Sequence, residues 1–177
     1  RRRAYQAVRR ALKTSFVRTD FRVVHVSIQR EHIHLICEAD DSAALGRGVQ
    51  GLQISAAKHL NMAVALDRGK TDPRRGIVFP ERYHVEQLTS PRQVRNAIAY
   101  VLNNWRRHRE DLAGFAQSRA SIDPYASGVL FDGWKRKGPF IPPDGYLPLQ
   151  TVCPQGWLLR LGWRMHGAID PREVPGP

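Results

Sequence analysis

The sequence predicts an α+β domain, and three observations predict it. Two β-prone runs, Phe21 to Gln29 and His32 to Ala39, are separated only by Arg30-Glu31, the spacing of a β-hairpin. Apolar residues recur at helical spacing before this pair and after it. A further short β-prone run, Tyr83 to Thr89, leads into another helical stretch.

Each element has its own justification. From Ala4 to Leu12, Tyr5, Val8 and Leu12 share one stripe while Arg9, Arg10 and Lys13 face away, which predicts an amphipathic helix. After the hairpin, Asp40, Asp41 and Ser42 offer an N-cap. A helix to about Ala65 follows, with Leu45, Val49, Leu52, Ala56 and Leu60 in register, and Gly46, Gly48 and Gly51 weaken its first half. Asp67 to Gly76 is a polar loop bearing Arg68, Lys70, Arg74 and Arg75. Ser90-Pro91 is a capping residue with proline at the first helical position, and opens a helix to about Glu110. From Leu112 the chain is rich in Gly and Pro, with one short helix expected near Gly156 to His166. The domain reading is therefore 1–111, with a tail over 112–177. The order helix–strand–strand–helix–strand–helix becomes the ferredoxin-like split βαβ plan, with an antiparallel sheet, helices on one face and a final helix, once a strand is placed in front. That first, central strand is expected to be missing from this chain.

Composition narrows the function. The 177 residues suit one domain with an appended segment. No apolar run approaches the roughly 20 residues needed to cross a bilayer, and no signal-peptide pattern opens the chain. Cys37 and Cys153 are far apart and give no disulfide or zinc spacing, so a reducing cytoplasm fits. Lys and Arg number 28 against 16 Asp and Glu, a net charge of +12 that favours a polyanionic partner.

The candidate chemistry lies in two places. His32 and His34 flank Ile33 in the second strand, so their imidazoles share a face roughly 6.5–7 Å apart along it. In the helix after Pro91, Val94, Ala97, Ile98, Val101 and Trp105 form the apolar stripe. Tyr100 and Asn104, four apart, lie about 40° from each other on its flank. If that helix crosses the histidine face, His32, His34 and Asn104 make three metal ligands with Tyr100 one turn away. A free phenol titrates near 10 and is a weak nucleophile at neutral pH. A divalent cation on the attacked phosphate would neutralise developing charge and orient in-line attack. Mg²⁺ or Mn²⁺ is expected, with imidazoles favouring Mn²⁺. The ordinary alternatives are half-exposed sheet histidines and a tyrosine packed at the core edge.

With these residues in place, HIHLI is similar to the His-hydrophobic-His signature of HUH endonucleases, and Tyr100 in AYVLNNWRRHRED sits where a single-tyrosine member carries its nucleophile. The chain resembles the REP-associated tyrosine transposases, relatives of small insertion-sequence transposases. RRRAYQAVRRAL, VVHVSIQREHIHLICEAD, FPERYHVEQL, DPYASGVLFDGW and GWLLRLGWRMHG extend the resemblance over most of the chain. It implies that Tyr100 cleaves single-stranded DNA near REP-like hairpins, leaving a 5′-phosphotyrosine and a free 3′-OH, with rejoining by the reverse step. His32, His34 and Asn104 would bind the metal. Asn103-Asn104-Trp105 stands where many relatives have Asn-Pro, although Asn104 keeps the spacing.

Arg82, Arg106, Arg107 and Arg109 are weaker candidates for phosphate contact; a surface arginine or a favourable cation at a helix C-terminus explains them equally. His25 reads as a sheet histidine, and Tyr5, Tyr83, Tyr125 and Tyr146 as packing phenols. Phe79, Trp105 and Trp134 can stack on bases or fill the core. The chain could act as monomer or homodimer. The rival readings are a non-catalytic nucleic-acid-binding module and an inactive truncated remnant.

Overall fold

The computed structural model describes residues 1–109, 121–136 and 138–175. The architecture is α+β, built on a two-stranded antiparallel sheet with several helices. Helix α1 (Arg2–Ala11) buries Tyr5, Ala7, Val8 and Ala11, and a single turn, α2 (Lys13–Phe16), leads into the hairpin. Strand β1 (Phe21–Ile28) pairs with β2 (Ile33–Ala39), so His32 falls just before the second strand rather than in it. A register shift between Val23 and His25 inserts one extra residue into β1. Such a bulge exchanges the faces to which the residues on either side of it point.

Each face of the hairpin carries a packed layer. On one, Phe21, Val23, Val26 and Ile28 pack with Tyr5, Val8 and Leu12 and with Val49, Leu52 and Ala56 of α3 (Ser42–Leu66). The α3 N-cap is Asp41, whose Oδ1 accepts from the Ala44 N–H at 2.6 Å. Gly48 is required here, since a Cβ would stand 2.2 Å from the Phe21 ring. On the other face, Val24 and Ile36 pack with Val94, Ile98, Val101 and Leu102 of α4 (Pro91–Arg107). Helix α4 starts as expected. Ser90 Oγ accepts from Gln93 N–H at 3.3 Å, while Gln93 Oε1 accepts from Ser90 N–H at 3.1 Å, a complete capping box. The helix ends at Arg107; Glu110 lies outside the described residues.

The Gly/Pro-rich tail is woven into both layers. Leu149 enters the first core; Ala126, Phe131, Leu159, Trp163 and Ile169 enter the second. Its backbone also covers the outer edge of β1, with Ile28 N–H donating to Tyr125 O and Val152 N–H to Val23 O, both at 3.0 Å. The expected short helix is found as α5 (Trp157–Arg160) followed by a 3₁₀ turn, Gly162–His166.

One expected element does not form. Tyr83 to Thr89 is not a strand; residues 83 to 87 are exposed coil. β-propensity expresses packing on a sheet more than a preference of the backbone itself, and among the described residues no strand lies beside this run to receive it. No described helix is long and apolar enough to cross a membrane.

Candidate functional site

The second face of the hairpin brings the expected residues together. His34 points from β2 toward α4, and its ring stands edge-on to Tyr100 with centroids 5.1 Å apart. His32, held at the end of the turn where its carbonyl accepts from Gln29 N–H at 2.9 Å, lies 4.6 Å from the His34 ring. The guanidinium of Arg107 lies 5.8 Å from the centre of the Tyr100 ring. Arg107 follows Tyr100 by seven residues, two helical turns, so a long side chain can reach back along the same flank.

A third imidazole joins them. His108, at the C-cap of α4, stands 5.6 Å from His32. Tyr100, Asn104 and His108 succeed each other at i, i+4 and i+8, about 12 Å of helix in all. The outer two both touch the histidine pair, so Asn104 occupies the rung between them. His108 stands between Arg107 and Arg109 in the sequence, and its distance along the chain from His32 hides their contact.

The polar atoms of this face are poorly satisfied. Asn104 has no exposed surface, and neither its Oδ1 nor its Nδ2 has a hydrogen-bond partner among the described residues. His34 Nε2 is likewise buried and unpartnered. An unsatisfied buried group costs about 1–3 kcal/mol and calls for an explanation. Burial, followed by the neighbouring charges of His32 and His108, lowers the His34 pKa to about 4, so its imidazole is neutral at pH 7 and carries a free lone pair. Unpartnered donors of this kind, a neutral imidazole nitrogen and an amide oxygen, fit a divalent cation chemically. The set is two imidazoles and an amide; among the described residues no three His, Cys, Asp or Glu side chains form a metal-holding group.

Other candidates sort clearly. Arg106 turns to the opposite flank, where Nε donates to Pro171 O at 2.8 Å and Nη2 to Ser121 O at 3.1 Å. Arg109 is exposed in the left-handed backbone region (φ 53°), and Arg82 is exposed in the coil before α4. His25 is buried beside Phe131 and 3.4 Å from Ser127 Oγ, and burial lowers its pKa to about 4. Tyr5 donates to Leu147 O at 2.6 Å and packs with Tyr125 and Tyr146 on the first face, so those three phenols belong to structure. Trp105 is buried, and the Trp134 indole donates to Gly128 O at 2.7 Å. Phe79 packs against the first core.

Comparisons of the chain with protein-family models, with curated proteins and with solved structures find no match.

Proposed function

We propose that the chain cleaves and rejoins single-stranded DNA near hairpins through Tyr100. The observation that carries this reading is the meeting of Tyr100 with His34 beside two buried donors, His34 Nε2 and Asn104, that have no partner among the described residues. Such a cluster is costly as packing and useful as a cation site next to a nucleophile. The helix–strand–strand–helix order supports a ferredoxin-like split βαβ plan as the scaffold, and β2 has no second neighbour in the sheet among the described residues.

His32, His34 and Asn104 would hold Mn²⁺ or Mg²⁺, which when bound neutralises charge on the non-bridging oxygens of the attacked phosphate. The Tyr100 hydroxyl gives up its proton to solvent as its oxygen attacks phosphorus in line. The new bond is Tyr100 Oη–P and the broken bond is P–O3′; the leaving oxygen takes a proton and departs as a 3′-OH. The 5′-phosphate stays on the tyrosine, and attack by a 3′-OH reverses the step. Arg107, whose guanidinium stands over the Tyr100 ring, would supply a cation close to the attacked phosphate.

The test uses labelled single strands flanking an imperfect hairpin, incubated with the chain and Mn²⁺ and resolved under denaturing conditions. A covalent protein–DNA adduct is expected from the natural chain and none from Tyr100→Phe. Full adduct yield from Tyr100→Phe overturns the assignment. Non-covalent binding with no adduct from either chain would leave a binding module in its place.

A further inference from the structure

The flank of α4 that faces away from Tyr100 supports a concavity made by the tail. Asn103 Nδ2 donates to Asp170 O at 3.0 Å, and Arg106 clasps the carbonyls of Pro171 and Ser121. The same stretches of backbone line a concavity of about 340 Å³ whose other walls carry Lys135, Arg136 and Arg172. Two further contacts fix its shape. Lys135 N–H donates to Ile169 O at 2.8 Å and Ile169 N–H to Gly133 O at 3.0 Å, which ties the two cationic stretches side by side. Gly138 closes a wall where a Cβ would stand 2.1 Å from Ser121 Oγ, so only glycine allows that approach.

Among the described residues the positive charge of this concavity is largely uncompensated. Nearby cations elsewhere in the region have acidic partners: Arg95 pairs with Glu173, and Arg164 with Asp132 at 2.8 Å. Lys135, Arg136 and Arg172 pair with no carboxylate among the described residues. The one carboxylate in the lining, Asp170, has its Oδ1 occupied by the Arg172 N–H at 2.8 Å. Three cations against one carboxylate leave a concave surface that concentrates anions.

We infer that this concavity holds a backbone phosphate of the same nucleic-acid strand that reaches Tyr100, an inference that rests on the single-strand reading above. A helix with its side chains is about 10–12 Å across, a distance that a short stretch of single strand can span. Exposed Arg109 lies just past the C-terminal end of α4. The cleavage site would engage the scissile phosphate while the tail engages another a few nucleotides away, setting register without reading bases.

The experiment measures binding of a fluorescent single strand by anisotropy across a salt series. Lys135→Gln/Arg136→Gln removes two exposed charges of the concavity. Arg68→Gln/Lys70→Gln removes two from the exposed loop after α3 and controls for net charge. For the concavity double variant, affinity at low salt is expected to fall about tenfold and the slope of log K against log salt to lose between one and two units. The loop variant is expected to bind like the natural chain, and unchanged melting temperatures report intact folds. Equal losses in the two variants, no loss in either, or no strand binding by the natural chain would overturn the inference. The two readings fail separately. Weakened binding in the concavity variant with no Tyr100 adduct from any chain keeps the phosphate site and removes the nucleophile. A normal adduct with unchanged binding does the reverse.

Discussion

The two faces of one hairpin differ in what they bury. Toward α1 and α3 the strands present Phe21, Val23, Val26, Ile28 and, from β2, Ile33, Leu35 and Cys37, an apolar set that packs without polar atoms from the strands. Toward α4 the same strands present His25 and His34 among Val24 and Ile36, and α4 answers with Tyr100 and the fully buried Asn104. The first face is organised for stability. The second gives up stability to keep polar donors in fixed positions, the pattern expected where structure serves chemistry.

Four perturbations would break or sharpen that contrast. The largest effect is expected on the apolar face: Phe21→Ala should lower unfolding free energy by about 3–5 kcal/mol, measured by denaturant titration. A cost no larger than that of His34→Ala would erase the distinction between the faces. Next, if the polar face holds a cation, Mn²⁺ at a hundred times its dissociation constant should stabilise the natural chain by about 2.7 kcal/mol. Thermal melts should show this shift vanishing in His34→Ala, and an equal shift in both chains would place the ion elsewhere. A smaller and opposite effect is expected for Asn104→Leu. It replaces two unpartnered buried atoms by a side chain of similar size and should raise stability by about 1–2 kcal/mol while abolishing the DNA adduct; a loss of stability would mean that the amide is satisfied in solution.

The most gradual effect is that of pH. Burial holds the folded His25 near 4, below the ordinary 6.5, so between those values the unfolded chain binds the proton that the folded chain refuses. The contribution of His25 is complete above about pH 6.5 and declines as pH falls toward 4. Melting temperature followed from pH 7.5 to 4 should fall less steeply in His25→Leu than in the natural chain. An unchanged profile would mean that the ring gains a proton without cost.

Much of this arrangement is legible in local sequence. Ser90-Pro91 marks the start of α4 because capping chemistry is a matter of adjacent residues, and strand alternation sets Ile33 and Leu35 on the face opposite His34 for the same reason. The spacing of Tyr100 and Asn104 places both on one flank of α4 before any contact is known. Other features depend on chain segments far apart. The run Tyr83–Thr89 carries β-prone residues but has no neighbouring strand, and remains coil. His108 reaches His32 only because α4 crosses the turn before β2. The cationic concavity needs residues near 121, 135 and 172, assembled by irregular backbone that has no periodicity to read.

Asn103 and Arg106 grip main-chain oxygens at positions 121, 170 and 171. Since every residue type offers the same carbonyl, substitutions at those three places leave the clasp intact, whereas gaining or losing a single residue in the intervening turns would draw the oxygens out of reach. Helix α4 is thus seated by the length of the chain that follows it, and tolerates drift in that chain's spelling far better than drift in its count.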